Sequence, residues 1–267
     1  MAITTRDGLI AAAKAIAPHY KTTTRTTVAG GWFSMFDIAG NPGAGTLAVG
    51  NTANGLVHTD ATAGYPAIAF SANRSYLSRL AVSNTVISQI ALYDRVFSAG
   101  AYAFNANTNL ASQPSYASRV SYDGGAAKYS GLEIWAEQVT AATGNQAVSV
   151  NYTDQDGNAG ATTGALGIGA APTVGRCWQL PLASGDSGLQ KIENVTGSVA
   201  SAGTFNVHVL RPLTRVYVPV ANQQVLLNWA DLGLPELFND SALFWMVMAP
   251  SGSSSGTPWL EHQIANG

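Results

Sequence analysis

From Thr22 onward, short runs of alternating apolar and polar residues are separated by clusters of Gly, Asn, Asp, Ser and Pro. Within Gln179 to Val218, Phe205, Val207 and Val209 alternate with Asn206 and His208, the period of two expected of a half-buried strand. Comparable runs predict strands at Thr24 to Ile38, Tyr76 to Val82, Val86 to Phe97, Leu132 to Val139 and Ala147 to Thr153. Others fall at Arg176 to Leu182, Leu189 to Val195, Phe205 to Leu210, Arg215 to Val220 and Leu243 to Met248. Helical spacing is clear only near the start, where Thr4 or Thr5 can cap a helix carrying Leu9, Ile10, Ala13 and Ile16 on one face, with Pro18 at its end. A helix of about 12 residues is marginal alone in water, so it must dock. The predicted class is all-β, a jelly-roll-like β-sandwich with a short N-terminal helix.

A faint repeat suggests two such units. Gly40-Asn41-Pro42-Gly43 follows Phe33 and Met35 much as Gly157-Asn158-Ala159-Gly160 follows Val150 and Tyr152. Ile90 and Leu92 precede Arg95 as Val207 and Val209 precede Arg211, an offset of about 117 residues. The expected division is an N-terminal helix or arm over 1–20, a first β-sandwich over 21–125 and a second over 126–267, with the boundary near Gly124-Gly125.

Composition narrows the function. Only 10% of the 267 residues are charged and the net charge is −2, against about 25% charged in an ordinary soluble domain. A surface built of Ser, Thr, Asn, Gln, Gly and Ala has no attraction for a polyanion, which argues against nucleic acid as a partner. With 46% apolar residues, disorder is disfavoured. The single cysteine, Cys177, lies beside Trp178 in a strand-like run and reads as a buried small hydrophobe. The N-terminus lacks the basic stretch and continuous apolar core of a secretory signal. No apolar run reaches the roughly 20 residues of a membrane span. The expectation is a soluble chain made in the cytoplasm.

Candidate chemistry is sparse. Gly185-Asp186-Ser187-Gly188 matches the nucleophile motif of chymotrypsin-like serine proteases, and His58, Asp94 and Ser187 occur in the chain order of such a triad. The motif continues as Leu189-Gln190 instead of a second Gly and a Pro, and His58 sits in Gly-Leu-Val-His-Thr-Asp. An ordinary turn, in which Asp and Ser bond their own backbone, accounts for the same letters. Asp154, Asp156 and Asn158 have the spacing that opens a calcium loop, but Ala159 and Ala165 replace its Gly and bidentate Glu; a hairpin turn at Asp156-Gly157 is the better account. Glu133 and Glu137 flank Trp135 on one strand face, about 13 Å apart at about 3.3 Å per residue and too far to act as a glycosidase pair. They read as a solvated face. His19, His58, His208 and His262 have no zinc-type spacing, and neither a phosphate loop nor a dinucleotide fingerprint is present. No catalytic, cofactor-binding or metal-binding residue is assigned.

The order of motifs is informative as a set. The opening Met-Ala-Ile-Thr-Thr-Arg-Asp-Gly-Leu-Ile leads to Ser75-Tyr76-Leu77 and Leu92-Tyr93-Asp94-Arg95. Leu180-Pro181-Leu182-Ala183-Ser184-Gly185-Asp186-Ser187-Gly188, Gly203-Thr204-Phe205, Leu232-Gly233-Leu234-Pro235 and Asn239-Asp240-Ser241-Ala242-Leu243 follow. Together they resemble a family of proteins encoded among the head genes of tailed bacteriophages. The resemblance implies a non-enzymatic virion protein, a capsid decoration, cement or minor capsid protein bound to the major capsid protein on the head exterior. It also implies that Gly-Asp-Ser-Gly is a turn. A dimer or trimer on a capsid symmetry axis fits that role. Two alternatives stand beside it: a tail, receptor-binding or carbohydrate-binding β-sandwich, and a serine hydrolase using Ser187.

Overall fold

Described for residues 4–70, 74–121, 125–170, 173–198, 202–250 and 253–267, the computed structural model is built mainly of antiparallel strands. In chain order the first are β1 (Ala17–Lys21), β2 (Trp32–Ser34), β3 (Gly40–Asn41), β4 (Asn51–Leu56), β5 (Ser75–Ser83) and β6 (Ser88–Ala103). Next come β7 (Asn107–Asn109), β8 (Glu133–Thr140), β9 (Asn145–Asp154), β10 (Ala161–Thr162), β11 (Leu166–Ala170) and β12 (Arg176–Leu180). The last are β13 (Leu189–Gly197), β14 (Thr204–Val218), β15 (Val225–Leu227), β16 (Glu236–Leu237), β17 (Leu243–Met248) and β18 (Trp259–Asn266). Two short helices, α1 (Arg6–Ala12) and α2 (Trp229–Leu232), are capped by Thr5 and Asn228.

The middle layer is a closed barrel. Its order is β14-β8-β12-β2-β17-β6, and β6 pairs back onto β14 along nearly its whole length. Six strands enclose too little space for a channel, so side chains fill the inside: Ala91, Tyr93, Trp135, Cys177, Phe244 and Met246 form one core. Two further sheets pack on the outside. One, β15-β5-β18-β1-β3 with β16, closes a second core in which Leu80, Val82, Leu260 and Ile264 meet Leu92, Val216, Trp245 and Val247. The other, β10-β9-β13-β7 with β11, closes a third, where Val148, Val150, Ile192 and Val195 meet Phe97, Ile134, Val207 and Val209. Strand β6 belongs to all three: a register shift between Arg95 and Phe97 re-aims its side chains partway along.

The all-β class and the N-terminal helix match expectation, whereas the division at residue 125 does not describe how the sheets are grouped. The barrel and the first outer sheet draw strands from both sides of that point. The runs that suggested a repeat, in β6 and β14, are hydrogen-bonded partners at the centre of the molecule. Of the proposed boundary pair, Gly124 lies outside the described residues. The boundary at residue 20 falls inside β1, which sits between β18 and β3.

The predicted helix stops early for a tertiary reason. Ala13 bridges Ala265 and the Lys14 N–H donates to Ile264 O at 2.7 Å, so the chain joins the sheet where helical spacing alone would have continued. Ile10 is left 65% exposed. The two strands expected at Phe205 to Leu210 and Arg215 to Val220 are one strand, β14, despite Pro212 in its middle. Pro212 is tolerated because β8 pairs with β14 only as far as Leu210, so the edge on that side is open where the N–H is missing.

Candidate functional site

The residues singled out for a protease triad are not brought together. Ser187 is exposed in the turn between β12 and β13, where the Asp186 N–H donates to Ala183 O at 3.1 Å and Gly185 adopts φ +98°. Tyr152 holds this turn, donating its hydroxyl to Asp186 Oδ2 at 2.6 Å and accepting from the Ala183 N–H at 2.7 Å. The Ser187 and Gly188 N–H groups, which an oxyanion hole would need free, both donate to Gln155 Oε1, at 2.9 and 3.2 Å. Asp94 is buried in the wall between the barrel and the first outer sheet. It accepts from Arg119, from Arg211 Nη2 at 3.1 Å, from Ser241 Oγ at 2.7 Å and from the Ala242 N–H at 2.9 Å. Burial alone would raise its carboxyl, but Arg119 and Arg211 outweigh that and hold it below the usual aspartate value. His58 is connected to Asp94 only through Arg119, which also donates to the His58 carbonyl.

The calcium-like residues form a tight turn. Asp154 Oδ1 accepts the N–H groups of Asp156 and Asn158 at 2.8 and 2.9 Å, and its Oδ2 accepts from Asn158 Nδ2 at 2.8 Å. Hydrogen bonds from Asn158 lower the Asp154 carboxyl. Among the described residues no group of three His, Cys, Asp or Glu is arranged to hold a metal ion.

Sequence reasoning missed the strongest polar constellation, inside the barrel. Ser98 on β6, His208 on β14 and Glu137 on β8 lie side by side, with Ser98 Oγ 2.6 Å from His208 Nδ1 and His208 Nε2 2.9 Å from Glu137 Oε2. All three residues have 0% exposure. Burial keeps His208 below its ordinary pKa, so the neutral ring donates from Nε2 to Glu137 and accepts the Ser98 hydroxyl proton at Nδ1. Burial would raise the Glu137 carboxyl, but the bond from His208 and the charge of Arg95 bring it below the usual glutamate value. Arg95 Nη1 stands 4.0 Å from Glu137 Oε2, and the guanidinium is packed against Phe36, Phe244 and Tyr65, with Tyr65 accepting from Nε. Asn206 completes the layer, donating to Leu47 O at 2.6 Å.

Glu137 is therefore not on a solvated face, as its strand pattern suggested. Alternation correctly places Glu133, Trp135 and Glu137 on one side of β8, and Asn206 with His208 on one side of β14. In a barrel covered by outer sheets, however, the polar side faces the filled interior. Trp135 is buried there and donates to Glu133 Oε2 at 2.7 Å. The order hydroxyl, imidazole, carboxylate is that of an activated nucleophile. In the closed barrel no solvent reaches it, and its chemistry is to satisfy buried polar groups and lock the register of β6, β14 and β8.

The outer side of the first sheet is different in character. Helices α1 and α2 flank a groove of about 410 Å³ lined by Leu9, Ile10, Ala13, Ser78, Trp229 and Gln263. Ile10 and Trp229, which line it, are 65 and 46% exposed, and Leu226 and Trp259 on other strands of the sheet are 53 and 41% exposed, Trp259 stacked on Tyr20. No helix among the described residues is long and apolar enough to cross a membrane.

Neither a family model nor a curated protein sequence matches the chain. Solved structures of a viral capsid protein align along it only loosely. The Gx strain of infectious bursal disease virus aligns over 94% of this chain and 81% of its own, at 10% identity and a TM-score of 0.17. The VP2 subviral particle of the same virus aligns over 95% and 81%, at 11% identity and a TM-score of 0.17. A TM-score of that size does not establish a shared fold.

Proposed function

We propose that the chain is a structural protein of a bacteriophage virion, a decoration or cement protein that binds the shell of the major capsid protein on the head exterior. The reading rests on the ordered series of head-gene motifs, from the N-terminal decapeptide to Asn239-Asp240-Ser241-Ala242-Leu243. One structural observation carries it further. Large apolar side chains, led by Ile10 and Trp229, stand exposed together on the outer side of one sheet, on a surface with few charges. Exposed patches of this kind mark protein contacts, and a rigid three-layer body suits contacts that add up across a lattice.

The test is co-sedimentation of the full chain with empty heads of the major capsid protein. The expected result is saturable binding at a fixed ratio, abolished in the double variant Ile10→Asp, Trp229→Asp while its circular dichroism and melting are unchanged. Absence of association, or equally tight binding by a folded double variant, contradicts the proposal.

A further inference from the structure

The sequence Asn-Gly occurs twice in the chain, at Asn54-Gly55 and at Asn266-Gly267, and the fold treats the two in opposite ways. Asn266, at the end of β18, has its amide tied on both sides: Oδ1 accepts from Ser75 Oγ at 2.9 Å and Nδ2 donates to Ala69 O at 3.1 Å. The Gly267 N–H that follows donates to Arg74 O at 2.6 Å. Asn54 is exposed, and its side-chain amide makes no hydrogen bond among the described residues. Strand β4 pairs with β6 at Asn51 with Gly100 and at Leu56 with Ser98, so Asn54 and Gly55 lie in a bulge between the two ladder positions.

The Asn51 side chain holds that bulge. Its Oδ1 accepts the Asn54 N–H at 3.0 Å, and its Nδ2 donates to Gly55 O at 3.0 Å. The residue after Asn54 has to be glycine: φ is +66° there, and a Cβ would overlap the Phe97 ring and the Ser98 carbonyl oxygen. Packing against Phe97 therefore keeps a glycine next to an unrestrained asparagine. Glycine is also the residue that least hinders attack of its own nitrogen on the preceding side chain, since it has no Cβ to crowd the ring that forms. The Gly55 nitrogen, giving up its proton to hydroxide, adds to Asn54 Cγ; the side-chain nitrogen takes a proton from water and leaves as ammonia, and a cyclic imide closes. Water then opens the imide. Opening at Cγ gives aspartate on an ordinary main chain, and opening at the main-chain carbonyl gives isoaspartate, whose main chain runs through Cβ and Cγ. One water is consumed and one ammonia released, with no change of oxidation state.

We infer that Asn54 is a self-modification site of the folded chain. It converts to aspartate and isoaspartate, which adds a negative charge to a chain of few charges. The isoaspartyl form loosens β4, because the extra main-chain carbon falls between the two residues that Asn51 clamps. This does not depend on the virion reading.

Peptide mapping by mass spectrometry tests it, on the full chain incubated at pH 8 and 37 °C, native and in denaturant. In denaturant both Asn54 and Asn266 should convert. In the native chain Asn54 should convert within about tenfold of its denatured rate and Asn266 more slowly than that, because the hydrogen bonds on Asn266 and Gly267 must break first. Asn54→Gln should abolish the conversion at this position and leave melting unchanged. The isoaspartyl form, separated by chromatography, should melt below Asn54→Asp, which carries the same charge on an ordinary main chain. Native Asn54 protected by more than about tenfold, or protected as well as Asn266, overturns the inference. An isoaspartyl form that melts together with Asn54→Asp overturns its consequence for β4.

Discussion

His19 on β1 and His262 on β18 meet edge to face, with ring centroids 4.4 Å apart, in the core between the first outer sheet and the barrel. Burial, with each other's charge and Lys21 adding to it at His19, lowers His19 to about 3; burial lowers His262 to about 4. His58 and His208 are also held below their ordinary value by burial. All four histidines of the chain are therefore neutral in the folded state at pH 7, and below about pH 6.5 they take up protons on unfolding. Their contribution leaves stability unchanged above about pH 6.5 and lowers it as pH falls from there toward the folded values. At pH 5 the His19 and His262 pair alone should cost roughly 2 to 4 kcal/mol. Urea titrations at pH 7.5 and 5 should show this loss, and His262→Phe should reduce it by about one proton's share.

Ser187 and Gly188 separate a turn from a nucleophile. Ser187 is exposed, so Ser187→Ala should change stability by less than about 0.5 kcal/mol. A Cβ on Gly188 would overlap the Tyr129 carbonyl oxygen, because Gly188 bridges Ser130. Gly188→Ala should therefore cost about 1 to 3 kcal/mol, read as a lower melting midpoint. The reverse ranking would show that this turn has been misjudged.

Glu137 and Arg95 are a buried ion pair inside the barrel, with Arg95 Nη1 4.0 Å from Glu137 Oε2. Glu137→Leu leaves the Arg95 charge in an aromatic cage without its carboxylate and should cost about 3 to 5 kcal/mol. Adding Arg95→Met should recover a large part of that loss, since replacing both charges by apolar groups removes the unpaired ion. Chemical denaturation of both single variants and the double gives the coupling. Strict additivity would mean that the two side chains do not depend on each other.

Cys177 faces the barrel interior, and burial pushes its thiol well above the ordinary value. A thiol reagent should leave it unmodified in the native chain at pH 8 and label it fully in denaturant. Labelling at the same rate in both conditions would mean that the barrel opens readily.

How much of this was legible in the sequence depended on whether a feature was local. Leu243 to Met248 was predicted with the limits it has as β17, because alternation and flanking turns decide a short strand. Strand β1 was hidden, since Ala17 to Lys21 carries Pro18 and a helix-like approach and is extended only because β18 lies beside it. The barrel polar layer was hidden for a related reason. Ser98, Glu137 and His208 lie on three distant strands, and each polar face reads as solvent-facing until closure turns it inward. The turn at Gly185 to Gly188 was readable from its Gly and Asp letters, whereas the Tyr152 and Gln155 side chains that hold it come from a distant strand and turn and were not.

Electron microscopy of intact phage particles bears most directly on the virion reading. The account predicts density matching the barrel and its two outer sheets on the outside of the head, repeated on a capsid symmetry axis, with the α1 and α2 side against the shell. Particles in which this chain is absent from the head, or is confined to the tail, would contradict it.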